Sequence, residues 1–336
     1  MVVDLATGGV TYEDGTPSDY TNDVYKTTKM VFRKVPAGTY AVQNGTVQAT
    51  MTNDYYVGVY EVTAGQYKLM QNPETAVPAT EANMKPKASI SYNTLRGTRD
   101  AAVEPTAASP IGKLTALVRA GGVSGLFDLP TEAMWEVAAR AMPANDTSRD
   151  TWPWFFGTSS SALGDYAWYL GNAGGASHVV GLKQPNDWGF YDMYGNVLEW
   201  CRDHWSWNNF VPTMTGNTTD TGSNRAQRGG SFESGGNDCS SNGRMNAYYT
   251  SNEAIYGFRL AMVSAVGAAV PLEQVSFDLD NDGLPDVFIE LTGDGNDAGT
   301  ITDNGNGSYD VTGAAAIELF DNGTSIGVID VPTNVT

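Results

Sequence analysis

The chain is poor in the side chains that most often carry nucleophilic and metal chemistry: 336 residues contain 2 cysteines and 2 histidines. With only His178 and His204 available, any site that needs three imidazoles is excluded by count. Basic residues are scarce too, 19 Lys plus Arg against 38 Asp plus Glu, for a formal charge of −19. Such a surface repels phosphate backbones and anionic headgroups, so no nucleic acid is expected as a partner. No apolar run approaches the roughly 20 residues of a helical span, which argues against direct membrane insertion. The start, Met1-Val2-Val3-Asp4, lacks the basic beginning and apolar centre of a signal peptide. Enrichment in Gly, Asn, Thr, Ser and Tyr reads as a secreted surface, so the protein is expected outside the cell or at the cell surface, its leader absent from the sequence in hand. No Walker spacing, dinucleotide fingerprint or Gly-x-Ser-x-Gly elbow is present. Asp203-His204 could form half of a charge relay, but a lone histidine in an aromatic segment is more simply a structural residue.

Aromatic side chains are plentiful at 11%, with 8 Trp and 17 Tyr, and charged residues make up only 17%, which supports a packed core over most of the length. Residues 1–27 read as an irregular lead-in. Period-two alternation then marks strands at 30–35 and 55–60. Thr63 and Gln66 form a capping box, predicting a short helix from Ala64 to about Gln71. Pro130 and Thr131 start a second helix, with Glu132 near its positive end and Met134, Val137, Ala138 and Ala141 at helical spacing. From about 150 to 262 short strands alternate with long loops.

After a small, apolar linker at 263–271 the composition changes. Residues 263–336 hold 13 acidic residues and no Lys or Arg, and removing those 13 charges from −19 leaves −6 for the first 262. Residues 272–336 are therefore expected to form a separate acidic β-sandwich-like module, with strands near 287–291, 316–320 and 326–329 and hairpin turns at 303–307 and 322–323. Asp278, Asp280, Asp282 and Asp286, with Gly283 at the turn, place carboxylates at alternate positions where they can converge on Ca2+. Position twelve is Ile289, so the bidentate glutamate of an EF-hand is lacking. The plainer reading is a solvated acidic turn.

The most informative stretch is Arg228-Gly229-Gly230-Ser231-Phe232 followed, after a turn-rich run, by Gly257-Phe258-Arg259-Leu260. The two anchors bracket Phe232, Glu233, Asn237, Asp238, Asn242, Met245, Asn246, Tyr248, Tyr249, Asn252 and Tyr256, the composition of a ligand-binding surface. Paired glycines allow close backbone packing, so the anchors should be buried strands and the polar segment between them should bulge outward. Together with Gly195–Trp200 and the helical run Leu129–Arg140, this bracket resembles the formylglycine-generating enzyme (sulfatase-modifying factor) family, a variant of the C-type lectin-like fold. The resemblance implies an α+β fold of that type over 28–262.

It also implies a structural calcium held by the side chains of Asp192 and Glu199 and the backbone carbonyls of Gly195 and Val197. Enzymes of the family bind copper through two cysteines, and those positions are Ser234 and Cys239 here. A hydroxyl is a hard, weak ligand for Cu(I), so the two-thiolate site cannot form. The iron-dependent sulfoxide synthases of the family need three histidines. In the related fold the motifs holding Cys201 and Cys239 run close together, which leaves a disulfide or two buried thiols. Retroelement-diversified variable proteins on this scaffold carry a hypervariable segment with the same layout. The leading reading is thus non-catalytic recognition of a protein or glycan. The alternatives are a formylglycine-generating-type oxidoreductase and a structural subunit that self-associates through the C-terminal module.

Overall fold

The computed structural model describes residues 1–12, 21–123, 125–219 and 221–263, and the backbone of six strands between 275 and 330. The chain divides into two compact units, one of Met1–Gly122 with Phe127–Val263 and one of Val123–Leu126 with Ser264–Thr336.

The first unit begins with β1 (Val2–Asp4) and β2 (Val10–Thr11), so the expected irregular lead-in is corrected at its outset. Met1, Val2, Val3 and Leu5 are buried, and β1 pairs antiparallel with β3 (Lys29–Val35). There follow β4 (Gly38–Val42), β5 (Val47–Met51), β6 (Tyr55–Gly58), α1 (Ala64–Gln71), α2 (Glu81–Met84), α3 (Tyr92–Arg96), α4 (Pro110–Ala120), β7 (Leu126–Asp128) and α5 (Glu132–Arg140). The remainder is α6 (Leu163–Tyr166), β8 (Ala167–Trp168), β9 (Tyr194–Gly195), β10 (Leu198–His204), β11 (Asn224–Arg228), β12 (Arg244–Tyr248), β13 (Tyr256–Gly257) and β14 (Ala261–Val263). Two sheets dominate, one ordered β2-β1-β3-β6-β14-β7 and one ordered β12-β11-β10-β13. This is an α+β architecture.

Local chemistry explains the helices. The Thr63 box is complete: its hydroxyl accepts from Gln66 N and Gln66 Oε1 accepts from Thr63 N. Gln66 Nε2 also donates to the carbonyls of Tyr25 and Lys29, which ties α1 to the chain entering β3. α4 was not foreseen. Ser109 caps it, Pro110 occupies its first turn, and Ile111, Leu114, Thr115 and Val118 form its buried stripe.

α5 is buried on every side, including both of its glutamates. Glu136 accepts from Gln43 N and Nε2, from Arg140 Nε, and from Arg228 Nη2 at 2.5 Å. Glu132 accepts from Arg244 Nε at 2.6 Å and Nη2 at 2.7 Å. Burial alone would raise the Glu136 carboxyl, yet Arg228 and Arg140 outweigh it and hold the group below its ordinary range.

In the second unit, β15 (Val275–Phe277), β16 (Val287–Thr292), β19 (Ala316–Asp321) and β20 (Thr324–Asp330) form one antiparallel sheet. β17 (Thr300–Asp303) and β18 (Tyr309–Thr312) form a hairpin. The strands expected at 287–291, 316–320 and 326–329 lie within β16, β19 and β20. Asp278, Asp280, Asp282 and Asp286 fall outside the described residues.

Replacing Glu136 by Ala leaves two buried guanidinium groups short of their counter-charge. The expected cost is about 3–5 kcal/mol of unfolding free energy, read from denaturant titration of tryptophan fluorescence. A loss below about 1 kcal/mol would contradict the network's structural weight.

Candidate functional site

The two anchors are buried as expected, but the expectation that they are strands is corrected, since only Arg228 and Gly257 lie in strands. Arg228 to Ser231 and Gly257 to Leu260 are buried. Gly229 and Gly230 have φ of 92° and 75°, and a Cβ on Gly230 would stand 2.6 Å from Cys239 Sγ. Only glycine satisfies both the backbone and the contact. Arg259 clamps distant chain, its Nη1 donating to the carbonyls of Gly58 and Val59, its Nη2 to that of Tyr191, and its Nε and Nη2 to Glu199.

The bracketed segment between them divides. Phe232 is buried, which corrects its expected exposure; its N–H donates to Asn196 O and the ring turns inward, where an apolar group gains most. Glu233, Asn237 and Asp238 are exposed on the turn leading to β12, near Leu163 and Tyr169, both of which approach Gly236. Asn242 is half-buried before the strand. β12 is an edge strand, and alternation sends Met245 to one face and Asn246 and Tyr248 to the other. Met245 is 40% exposed and Tyr248 47%. Tyr248 stacks on half-buried Tyr249 at 4.8 Å. Asn252 is exposed beyond the strand, and Tyr256 is half-buried with its ring edge-on to Trp200.

The thiol positions are closed. Ser234 Oγ accepts from Ser231 N at 2.9 Å and lies 3.2 Å from Ser231 Oγ, so the hydroxyl serves the turn. Cys239 is buried, and burial followed by the charge of Asp238 pushes its thiol up to about 12. Cys201 is likewise buried, and its thiol is pushed well above the usual range by burial and then by Glu132. Both cysteines are free, the second of the two states left open by the sequence. A hydroxyl bound to its own turn and a sealed, protonated thiol do not fit a two-thiolate copper.

The region assigned by resemblance to calcium contains three buried carboxylates, Glu61, Asp192 and Glu199, beside one guanidinium, Arg259. Asp192 Oδ2 accepts from Gly181 N, and its Oδ1 is buried without a hydrogen-bond partner. Burial lifts Asp192 to about 6; burial, then Asp192 and Glu199, raise Glu61 well above its usual value. Asp192 therefore fits a cation. Glu199 is committed to Arg259 and to Trp135 Nε1, and would reach an ion only by sharing an oxygen with them. Among the described residues no three His, Cys, Asp or Glu side chains converge as a metal centre, so an ion here would lean on the carbonyls of Gly195 and Val197 and act structurally.

Asp203 and His204 do not form a relay. Asp203 accepts from Glu132 N and Asn217 N, capping α5, while His204 Nδ1 lies 3.1 Å from Gly222 O. Sequence reasoning missed Glu61, the clamp role of Arg259 and the exposed Trp207. For Trp207 the available signal was a tryptophan flanked by Asn208 and Asn209 in a turn-rich stretch.

A model of the family described as the sulfatase-modifying factor enzyme 1-like domain matches residues 20–263. The chain belongs to that family. Over 193 residues it is 26% identical to a chaperone protein, LppX, of Paenibacillus barcinonensis, the match covering 48% of this chain and 65% of that protein. Over 120 residues it is 33% identical to a formylglycine-generating enzyme of Thermomonospora curvata, covering 31% and 38%. The chain thus spans less than two thirds of either relative. Among solved structures it is similar to Treponema denticola variable protein 1, with TM-score 0.54, 21% identity, and 75% of this chain and 98% of that one covered. PvdO of Pseudomonas aeruginosa gives 0.53 and 20%, covering 75% and 99%. These neighbours share the C-type lectin-like fold of the formylglycine-generating type, and the family contains enzymes and non-enzymatic variable proteins alike.

Neither thiol of this family member is expected to react with a disulfide reagent such as dithiobisnitrobenzoate in the native protein. Both should titrate in denaturant, giving two thiols per chain. Rapid labelling of native Cys239 would show that the position is open to chemistry.

Proposed function

We propose that the chain is a non-catalytic member of its family that holds a protein or glycan ligand on the surface formed within residues 232–256. The observation that carries this reading is the edge position of β12, which leaves Met245 and Tyr248 in solvent on a strand held at both ends by buried anchors. A preorganised surface of this kind loses little freedom on binding, and its aromatic residues supply contact area at low entropic cost. Phe232, being buried, drops out of the contact set. The variable protein of Treponema denticola shares the scaffold, and hypervariability between the anchors is part of this proposal. Genomic sequence answers that point directly: a near-repeat of the 228–260 segment beside a reverse transcriptase supports it, and a single fixed copy without one overturns it. Display outside the cell rests on composition, and fractionation of the source cells tests it.

The second reading, an oxidoreductase of the formylglycine-generating type, is favoured by the 33% identity to such an enzyme. Ser234 and the closed Cys239 weigh against it. Protein treated with Cu(I) and incubated with a cysteine-containing sulfatase peptide and oxygen is expected to give no aldehyde by mass spectrometry. Stoichiometric copper uptake with turnover would reverse the assignment.

Binding itself is checked by screening the chain against arrays of cell-surface proteins and glycans. For a ligand so found, Tyr248→Ala combined with Met245→Ala should weaken affinity by roughly 30-fold, about 2 kcal/mol, with the melting temperature nearly unchanged. Unchanged affinity, or a variant that unfolds, would mean that these side chains serve the fold.

A further inference from the structure

Trp207 is the most exposed of the large hydrophobic residues among those described, at 76%. It stands on a loop that is held firmly underneath. Its ring meets Trp205 edge-on, with centroids 5.0 Å apart and planes at 73°. Trp205 N donates to Asn224 O at the start of β11, and the Arg244 guanidinium lies over the Trp205 ring at 4.6 Å and the Phe210 ring at 5.4 Å. Arg244 Nη2 donates to Ser206 O while the same side chain is fixed by both oxygens of Glu132. An indole kept in solvent on so rigid a base has no packing reason to be a tryptophan, since its exposed face contributes nothing to the core.

The strands that hold this loop, through Asn224 O and Arg244, also carry an amide pair. Arg244, Asn246 and Tyr248 share one face of β12 by alternation, and Asn224, in register with Tyr248, faces the same way. Asn224 Nδ2 donates to Asn246 Oδ1 at 2.6 Å. That bond leaves Asn224 Oδ1 as an acceptor and Asn246 Nδ2 as a donor, side by side on half-buried residues. Asn208 and Asn209 are exposed beside the indole.

We infer that Trp207, with the Asn224–Asn246 amide pair, is a platform for neutral saccharides. A pyranose presents a flat patch of C–H groups that covers an indole face, and vicinal hydroxyls that match an adjacent donor and acceptor. An acidic glycan fits poorly, because the guanidinium on this face is already neutralised by Glu132 and the chain carries −19 overall. A protein partner would need an apolar centre within roughly 800 Å² on each side, whereas amides interrupt the apolar groups here. The inference rests on the ligand-binding reading above and narrows its ligand class, using a loop outside the 232–256 bracket.

The test is affinity electrophoresis and calorimetry of the full chain against soluble β-glucan, xylan, mannan, α-glucan and chitin oligosaccharides, with tryptophan emission recorded. At least one neutral saccharide is expected to bind with a shift in emission. Trp207→Ala should weaken that binding by about ten-fold or more, with an unchanged melting temperature, and Trp207→Phe should retain part of it. Binding that survives Trp207→Ala, or no binding by any of these saccharides, overturns the platform. If the saccharides fail while a protein ligand binds through Tyr248, the platform falls and the ligand-binding reading stands. If the copper-treated chain forms aldehyde, the ligand-binding reading falls with it.

Discussion

Arg228 and Arg244 stand directly opposite one another on the β11–β12 ladder, and the fold is possible because one helix takes up both charges. Like charges on the same rung repel, and in a buried sheet little water is available to screen them. Glu136 holds the first arginine and Glu132 the second, while Arg140 and Gln43 complete the satisfaction of Glu136. The arrangement also fixes register. A slip of β12 by one residue would carry Arg244 to the opposite face, into the place of Met245 and away from α5, leaving Glu132 without its close partner. Which residues of β12 meet solvent is therefore tied to the ion pair that its first residue makes with α5.

Much of this was legible in the sequence where a short-range signal had one solution. The Thr63 and Gln66 pair, the capped run from Thr131 to Arg140 and the paired glycines at 229–230 each satisfy a local rule that no tertiary contact overrides. β1 and β2 were not legible, because strands of three and two residues carry too little alternation and acquire their meaning only by pairing with β3. The burial of Phe232 was hidden by polar neighbours, since mean composition along a turn does not tell which of its residues points inward. The closeness of two motifs left the state of Cys201 and Cys239 open between a bridge and two buried thiols; both are free, and Cys239 Sγ is wedged against Gly230, a geometry that no spacing announces. α4 was missed although Ser109, Pro110 and the stripe that ends at Val118 carry its signal.

Ser234 and Cys239 both serve the packing around the first anchor. Ser234, which the resemblance sets at a thiol position, stabilises the turn that leaves the first anchor. Cys239 fills the space under Gly230, and Trp154 Nε1 donates to its carbonyl. Each group belongs to the packing around the turn that precedes β12. Fold and surface are linked through these residues, so substitutions at Ser234 or Cys239 act on the exposed strand through the turn beneath it.

The place of β14 has a consequence for how the chain is made. It is the last strand of its unit, yet it lies inside the six-stranded sheet between β6 and β7, pairing Ala261 with Val57 and Met262 with Tyr56. Arg259, two residues earlier, reaches carbonyls of Gly58 and Val59 some 200 positions upstream. These contacts close the longest loops in the unit and cannot form while its end is still in the ribosome. Until β14 emerges, Tyr56 and Val57 sit on an open sheet edge, where the nascent chain is exposed to pairing with its neighbours.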